Sequence, residues 1–292
     1  MMLKKCLSLF ITGIILIAIG GIGLVALAMN GVNLNGISIG PSSSETSLEN
    51  VEMCIIPIDE TEEITSLDFS SNTGVFTIVR GDSFTVETNL GAFSWEITDG
   101  CLKIENDVPI EFMSFDDAAI EIIVTVPERH FKEVKLSLKA GEFYADDIIT
   151  DKLTIDMDAG EAVLNNISAI TASDITINAG ECTFSNSVLN ESEINMDAGE
   201  MIFEECKLTG ENEINLDFGE ISMLLLGKRS DYELDIENDL GEVNVDGVPY
   251  INGIVETTIF ETNSGNVEPV NPIGTININL DLGECNIDFM EE

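Results

Sequence analysis

Carboxylates are the side chains with the greatest chemical reach in this sequence, with 54 Asp and Glu against 12 Lys and Arg and a formal net charge of −42. Many of the Glu are placed by a repeat. A Gly-Glu pair begins at Gly141, Gly160, Gly180, Gly199, Gly219, Gly241 and Gly283, at intervals of 19, 20, 19, 20, 22 and 42 residues. Two residues before each Gly stands Asp158, Asn178, Asp197, Asp217, Asp239 or Asp281, with Lys139 in the first copy. If equivalent positions align, Glu161, Glu181, Glu200 and Glu220 form a column beside a column of Asp. Two like charges about 5 Å apart repel by about 0.8 kcal/mol even in bulk water. Splayed, solvated side chains relieve that repulsion, and so would Ca²⁺, which takes several carboxylate oxygens. The Gly-Gly-x-Gly-x-Asp signature of calcium-binding β-rolls is absent, so the reading adopted is a solvated acidic face with no metal or cofactor site. Such a surface repels phosphates, which excludes nucleic acid and anionic lipid head groups as partners for it.

Other chemistry is sparse. His130 is the only His, too few for His-ligated metal sites, and its place after Pro127 suits a surface or turn position. The six Cys (Cys6, Cys54, Cys101, Cys182, Cys206 and Cys285) contain no C-x-x-C. Cys182 and Cys285 fall where a small core hydrophobe fits, and Cys182–Cys206 is the most reasonable pair should a disulfide form. Lys228-Arg229 is the only adjacent basic pair beyond the N-terminus, and Trp95 is the only Trp. Sugar-binding clefts usually present aromatic platforms, and phosphate-binding Gly loops are missing. No catalytic residue is assigned.

The elements that hold these residues follow from the flanks of each Gly. Five residues before it stands Leu136, Ile155, Ile175, Ile194, Ile214, Ile236 or Ile278, and three before it Leu138, Met157, Ile177, Met196, Leu216 or Leu280, with Asn238 as the exception. Immediately before it come Ala140, Ala159, Ala179, Ala198, Phe218, Leu240 and Leu282. Apolar residues at alternate positions mean a strand with one buried face, here predicted to include the residue next to the Gly. Beyond the pair the apolar set shifts parity to pairs such as Ala162 and Leu164, or Met201 and Phe203. A chain flips parity only by bending or bulging, which Gly permits. Each repeat therefore reads as strand, Gly-Glu corner, strand, and a polar turn such as Asn165-Asn166 or Thr209-Gly210. Spacing near 20 residues marks a solenoid, in which no coil buries its face alone. The expectation is an all-β, single-stack β-solenoid over residues 61–292, with excursions near 106–118 and 247–273. Residues 61–130 read as its opening coils, or else as a separate small β-domain.

Upstream, Cys6–Met29 is free of charge and long enough to cross a bilayer as a helix. Lys4 and Lys5 precede it, and the first acid, Glu45, follows, so the positive-inside tendency sends the bulk of the chain outward. Ala26-Leu27-Ala28 resembles a signal-peptidase site, and a cleaved signal peptide would export the chain too. The adopted reading is a cytoplasmic tip and single-pass membrane anchor at 1–30, touching the lipid bilayer through residues 6–29, and a Gly/Asn/Ser-rich tether at 31–60.

The order of these pieces resembles the bacterial putative-adhesin β-strand-repeat family, also called the toastrack domain, which includes LiaG-like proteins. The resemblance is carried by Leu67-Asp68-Phe69 with Gly74-Val75-Phe76-Thr77-Ile78, by Val124-Thr125-Val126-Pro127, by Val134 to Glu142, and by Ile276 to Glu284. It covers roughly residues 60–290 and implies a membrane-associated or cell-surface protein assisting envelope-stress signalling or adhesion, with no catalytic residues to carry over. The regular Glu after each Gly and the extreme acidity depart from that pattern. Three functions are weighed. They are a non-enzymatic envelope scaffold with a protein partner, an adhesin for an external ligand, and a carbohydrate-active β-helix enzyme, in that order.

Overall fold

Alternating burial and in-register Gly corners make this chain an all-β protein whose windings lie on one another. The structure, a computed structural model, describes residues 53–58, 63–89, 94–106, 120–251, 254–255 and 272–291. Its strands are β1 (Cys54–Pro57), β2 (Ser66–Gly81), β3 (Thr85–Thr88), β4 (Ser94–Thr98), β5 (Cys101–Asn106), β6 (Glu121–Pro127), β7 (His130–Asp146) and β8 (Ile149–Asn165). They continue with β9 (Ser168–Ser185), β10 (Val188–Asn190), β11 (Ser192–Leu226), β12 (Tyr232–Val245), β13 (Val248–Ile251), β14 (Ile254–Val255) and β15 (Gly274–Met290). Among the described residues no helix is long and apolar enough to cross a membrane. The anchor predicted at 6–29 lies outside them, as does most of the 31–60 tether. Strand β1 falls within that tether and pairs antiparallel with β3, so folded structure begins before residue 61.

Successive windings pair in parallel with matched register. Gly141 lies beside Gly160, Gly160 beside Gly180, and Gly180 beside Gly199. Gly219 pairs with Gly283, and Gly283 with Gly241. Each of these glycines has φ between +141° and +150° except Gly283, and a Cβ on any of them would collide with the carbonyl of the glycine beneath. Backbones approach so closely at this corner that no side chain fits, in a conformation L-residues avoid. Gly74 occupies the same row below Gly141, although no Glu follows it.

Burial follows the parity flip. Ile155 and Met157 before the corner, and Ala162 and Leu164 after it, are buried. The residue next to the Gly is a correction to the sequence reading. Ala140, Ala159, Ala179 and Ala198 are only half-buried, and Phe218 and Leu240 are 44% and 62% exposed. The bend turns that position out of the core, so alternation ends one residue early. Each winding also has a third short arm (Ile149-Thr150, Ser168-Ala169, Val188-Leu189) beyond the two strands expected. It starts just past a left-handed turn at Asp147, Asn166 or Asn186, residue types that tolerate positive φ. Buried columns fuse into one core, in which the Phe184 and Phe203 rings of adjacent windings stack with centroids 5.6 Å apart.

The described strands between residues 61 and 130 pair into the same sheet as the later windings. Strand β2 runs parallel to β7 on one side, and to β5 and β6 on the other. The winding made by β5 and β6 is therefore outermost although it follows β2 in sequence. Strand β4 covers β5, β3 covers β6 and β1 adds to β3, all antiparallel. Such strands blunt an otherwise open edge.

The other end also departs from chain order. Strand β15 sits between β11 and β12, with parallel ladders on both sides. The 42-residue interval is therefore not two steps along the stack, because the last winding in sequence is the penultimate one in space. The excursion expected at 247–273 contains the β13–β14 hairpin, of which β13 covers the end of β12. Lys228 and Arg229 lie in the short turn that steps over β15. Arg229 donates to the Tyr232 carbonyl at 2.6 Å, its guanidinium 5.9 Å from the Phe289 ring centroid, and the Tyr232 hydroxyl donates to the Leu226 carbonyl at 2.6 Å.

Strand β12 reaches the stack through β15, so its order depends on the C-terminal winding. Deleting residues 272–292 is expected to abolish amide-exchange protection across 232–245 while 149–204 stay protected. Protection of 232–245 undiminished by the deletion would contradict this topology.

Candidate functional site

The Gly-Glu corner displays the side chains singled out from the sequence. Because the windings keep register, Glu142, Glu161, Glu181, Glu200, Glu220, Glu284 and Glu242 fall in one column. Gly219 packs directly on the Gly199 backbone, which sets Glu220 next to Glu200. Asp158, Asn178, Asp197, Asp217, Asp281 and Asp239 form a second column on the other side of the glycines. The expected pair of acidic columns is thus present.

Their electrostatics have a consistent sign. Partial burial, and then the charges of Glu181 and Glu142, raise the Glu161 carboxyl above the ordinary Glu range. Burial followed by Glu220 and Glu181 raises Glu200, and burial followed by Asp281 and Asp197 raises Asp217. Neighbouring charges and lost solvation both disfavour the ionised form.

Amides relieve the strain elsewhere. Asn215 donates to the Asn195 side-chain carbonyl at 2.8 Å, and Asn279 to that of Asn215 at 2.7 Å. A second ladder runs from Asn186 to Asn165 at 3.1 Å and from Asn165 to Asp146 at 2.7 Å. Asn178 interrupts the Asp column and donates to Asp158 at 3.3 Å. Stacked amides satisfy one another, whereas stacked carboxylates cannot without a proton or a cation. Sequence reading marked the carboxylates and missed these ladders, although Asn195, Asn215 and Asn279 share one offset from their glycines. The polar exception Asn238 faces inward, and its Oδ1 is buried without a hydrogen-bond partner.

The remaining candidates are dispersed. His130 Nε2 lies 2.8 Å from Asp151 on the exposed surface. Cys182, Cys206 and Cys285 are buried free thiols. Cys206 does not bond Cys182; its sulfur donates to the Phe184 carbonyl at 3.3 Å. Burial pushes the Cys182 and Cys285 thiols up to about 12 and Cys206 up to about 11, which keeps them protonated and unreactive. Trp95 is on β4 at the far end of the stack from Lys228 and Arg229. Among the described residues no three His, Cys, Asp or Glu converge in a metal-holding geometry.

Comparison with known proteins adds the family. The Toastrack DUF4097 family model matches residues 21–287, most of the chain. The chain belongs to this family. The toastrack match begins inside the predicted membrane span and runs almost to the end of β15. No curated protein matches the sequence. Among solved structures the chain is similar to a putative cell adhesion protein from Clostridium sporogenes ATCC 15579, at 17% identity, over 82% of this chain and 99% of that one, with a TM-score of 0.39. It is also similar to a putative adhesin from Parabacteroides distasonis ATCC 8503, at 12% identity over 82% and 96% of the two chains, TM-score 0.32. A third, a putative adhesin from Bacteroides fragilis NCTC 9343, is 10% identical over 87% and 100%, TM-score 0.28.

The raised carboxyls set a pH dependence for this toastrack protein. A carboxyl raised in the folded state binds its proton at higher pH than in the unfolded chain. It therefore costs stability above its folded pKa, and the cost fades as pH falls to that value and below. The shifts resolved for Glu161, Glu200, Asp217 and Asp246 all point this way. The melting temperature is expected to rise as pH is lowered from about 7.5 to about 5, and to rise at pH 7.5 on adding salt, which screens the columns. A melting temperature that falls steadily over the same pH range would contradict the column electrostatics.

Proposed function

We propose that the chain is a non-catalytic surface scaffold, a single-stack β-solenoid carried outside the cell on a transmembrane helix at residues 6–29, which engages a protein partner at the envelope. The observation that supports it best is the in-register array of exposed and half-exposed side chains along the glycine row. A face of that kind repeats one chemical environment every winding, about 4.8 Å apart, and suits an extended contact more than a reaction needing convergent groups. The reactive side chains are spread apart, with His130 and Cys54 exposed, Cys101 half-buried, the Cys182, Cys206 and Cys285 thiols buried, and Lys228 and Arg229 held in a turn. Family membership is consistent with this reading, and an envelope-stress role is its most specific form.

Topology in producing cells tests it. Full-length protein is expected in the membrane fraction, with residues 61–292 cleaved by protease added outside intact cells, and a chain lacking residues 1–30 should be lost from that fraction. Photo-crosslinkers replacing Glu161 or Glu200 should trap an envelope protein. Full-length protein recovered from the cytosol and shielded from external protease would overturn the proposal.

A further inference from the structure

One column changes character near the end of the stack. The residue before the corner glycine is Ala140, Ala159, Ala179 and Ala198 in four consecutive windings, and then Phe218, Leu282 and Leu240 in the last three. Phe218 pairs with Leu282, and Leu282 with Leu240, so the three are rung-to-rung neighbours. Phe218 is 44% and Leu240 62% exposed, with Leu282 half-buried between them. Exposed Asp217, Asp281 and Asp239 border this stripe on one side, and Glu220, Glu284 and Glu242 on the other. The stripe is not required by the fold, since the four preceding windings place Ala there at an equivalent bend. A contiguous apolar strip rimmed by charge is the anatomy of a contact surface.

We propose that Phe218, Leu282 and Leu240 form a docking stripe for a basic amphipathic helix of a protein partner. The proposal rests on the scaffold reading above and specifies the partner's chemistry. Charge complementarity selects Lys and Arg on both flanks of the partner's apolar residues, and the same acidic rims repel an anionic membrane surface. Spacing selects a helix. Three rungs span about 9.6 Å, and two helical turns about 10.8 Å, so apolar side chains at i, i+4 and i+7 lie over the three rungs with about 1 Å of drift. Same-face residues of an extended strand are about 6.6 Å apart, and would drift by nearly 4 Å over the same length. The partner helix therefore lies along the stack axis, its apolar seam on the stripe and its basic side chains between the Asp and Glu columns.

The test uses the full chain and an 18-residue helical peptide of Leu on one face and Lys flanking it, followed by fluorescence anisotropy at low salt. The triple variant F218A/L282A/L240A copies the residue found in the earlier windings and is expected to keep its fold. It should lose at least about tenfold in peptide affinity, while I149A/I170A, which removes two other exposed apolar residues, should lose none. The same peptide with Glu in place of Lys should not bind, and added salt should weaken the Lys form. Equal affinity of the triple variant overturns the proposal, as does equal binding of the Glu peptide. A triple variant that melts more than about 5 °C lower with unchanged peptide affinity assigns the stripe to an intramolecular contact. A change of oligomeric state in that variant without a change in peptide affinity assigns it to a second copy; both outcomes overturn the proposal. An envelope partner still trapped by the triple variant in cells would refute the stripe and leave the scaffold reading standing. Peptide binding at the stripe by a chain found in the cytosol would do the reverse.

Discussion

The close approach of backbone to backbone at the glycine corner is the constraint on which the rest of the structure depends. Each winding is a ribbon that must pair above and below over its whole length, and it must also turn inward to enclose its apolar side chains. The corner satisfies both requirements by removing the Cβ at the point of bending, so that one glycine lies against the carbonyl of the next. From that contact follow the register of the ladders, the alignment of core columns such as Ile155, Ile175, Ile194 and Ile214, and the side-chain rows on the surface. No winding could form such a core by itself, so stability is shared between neighbours.

Register has an electrostatic cost. The alignment that stacks Asn195, Asn215 and Asn279 into a hydrogen-bonded ladder also stacks Glu161, Glu181 and Glu200. Apolar burial along the stack outweighs this repulsion, because the half-buried carboxylates keep part of their hydration while the core side chains lose nearly all of theirs. The acidic surface also discourages edge-to-edge association of a protein built from strands. Both ends show the same economy, with antiparallel strands covering the outer windings and the chain entering and leaving the stack one winding from its end.

Much of this was legible in the sequence because a repeat writes the same physical requirement many times. Glycine at a fixed offset, alternating apolar residues and the parity flip gave the winding, its bend and its two acidic columns, and the order of motifs gave the family. Legibility failed where the repeat carries no distinguishing information. Gly241 and Gly283 belong to equivalent windings, so spacing alone could not tell that the later one slips between Gly219 and the earlier one. Position −1 looked like core because Ala, Phe and Leu are all apolar, yet the bend turns it outward, and the change from Ala198 to Phe218 became meaningful only once exposure was known. Cys182 and Cys206 are close in sequence and in adjacent windings, but their thiols serve the core separately.

Substituting one glycine in the row tests the central claim most directly. Gly180→Ala would place a methyl group against the Gly160 carbonyl at φ +143°, whereas Gly247→Ala, at φ +68°, meets open space. Measured by denaturant unfolding, Gly180→Ala is expected to cost roughly 4 kcal/mol or more, and Gly247→Ala about 1 kcal/mol from backbone strain alone. Equal, small losses at the two positions would mean that the glycines are not packed backbone against backbone, and the stack as described would be wrong.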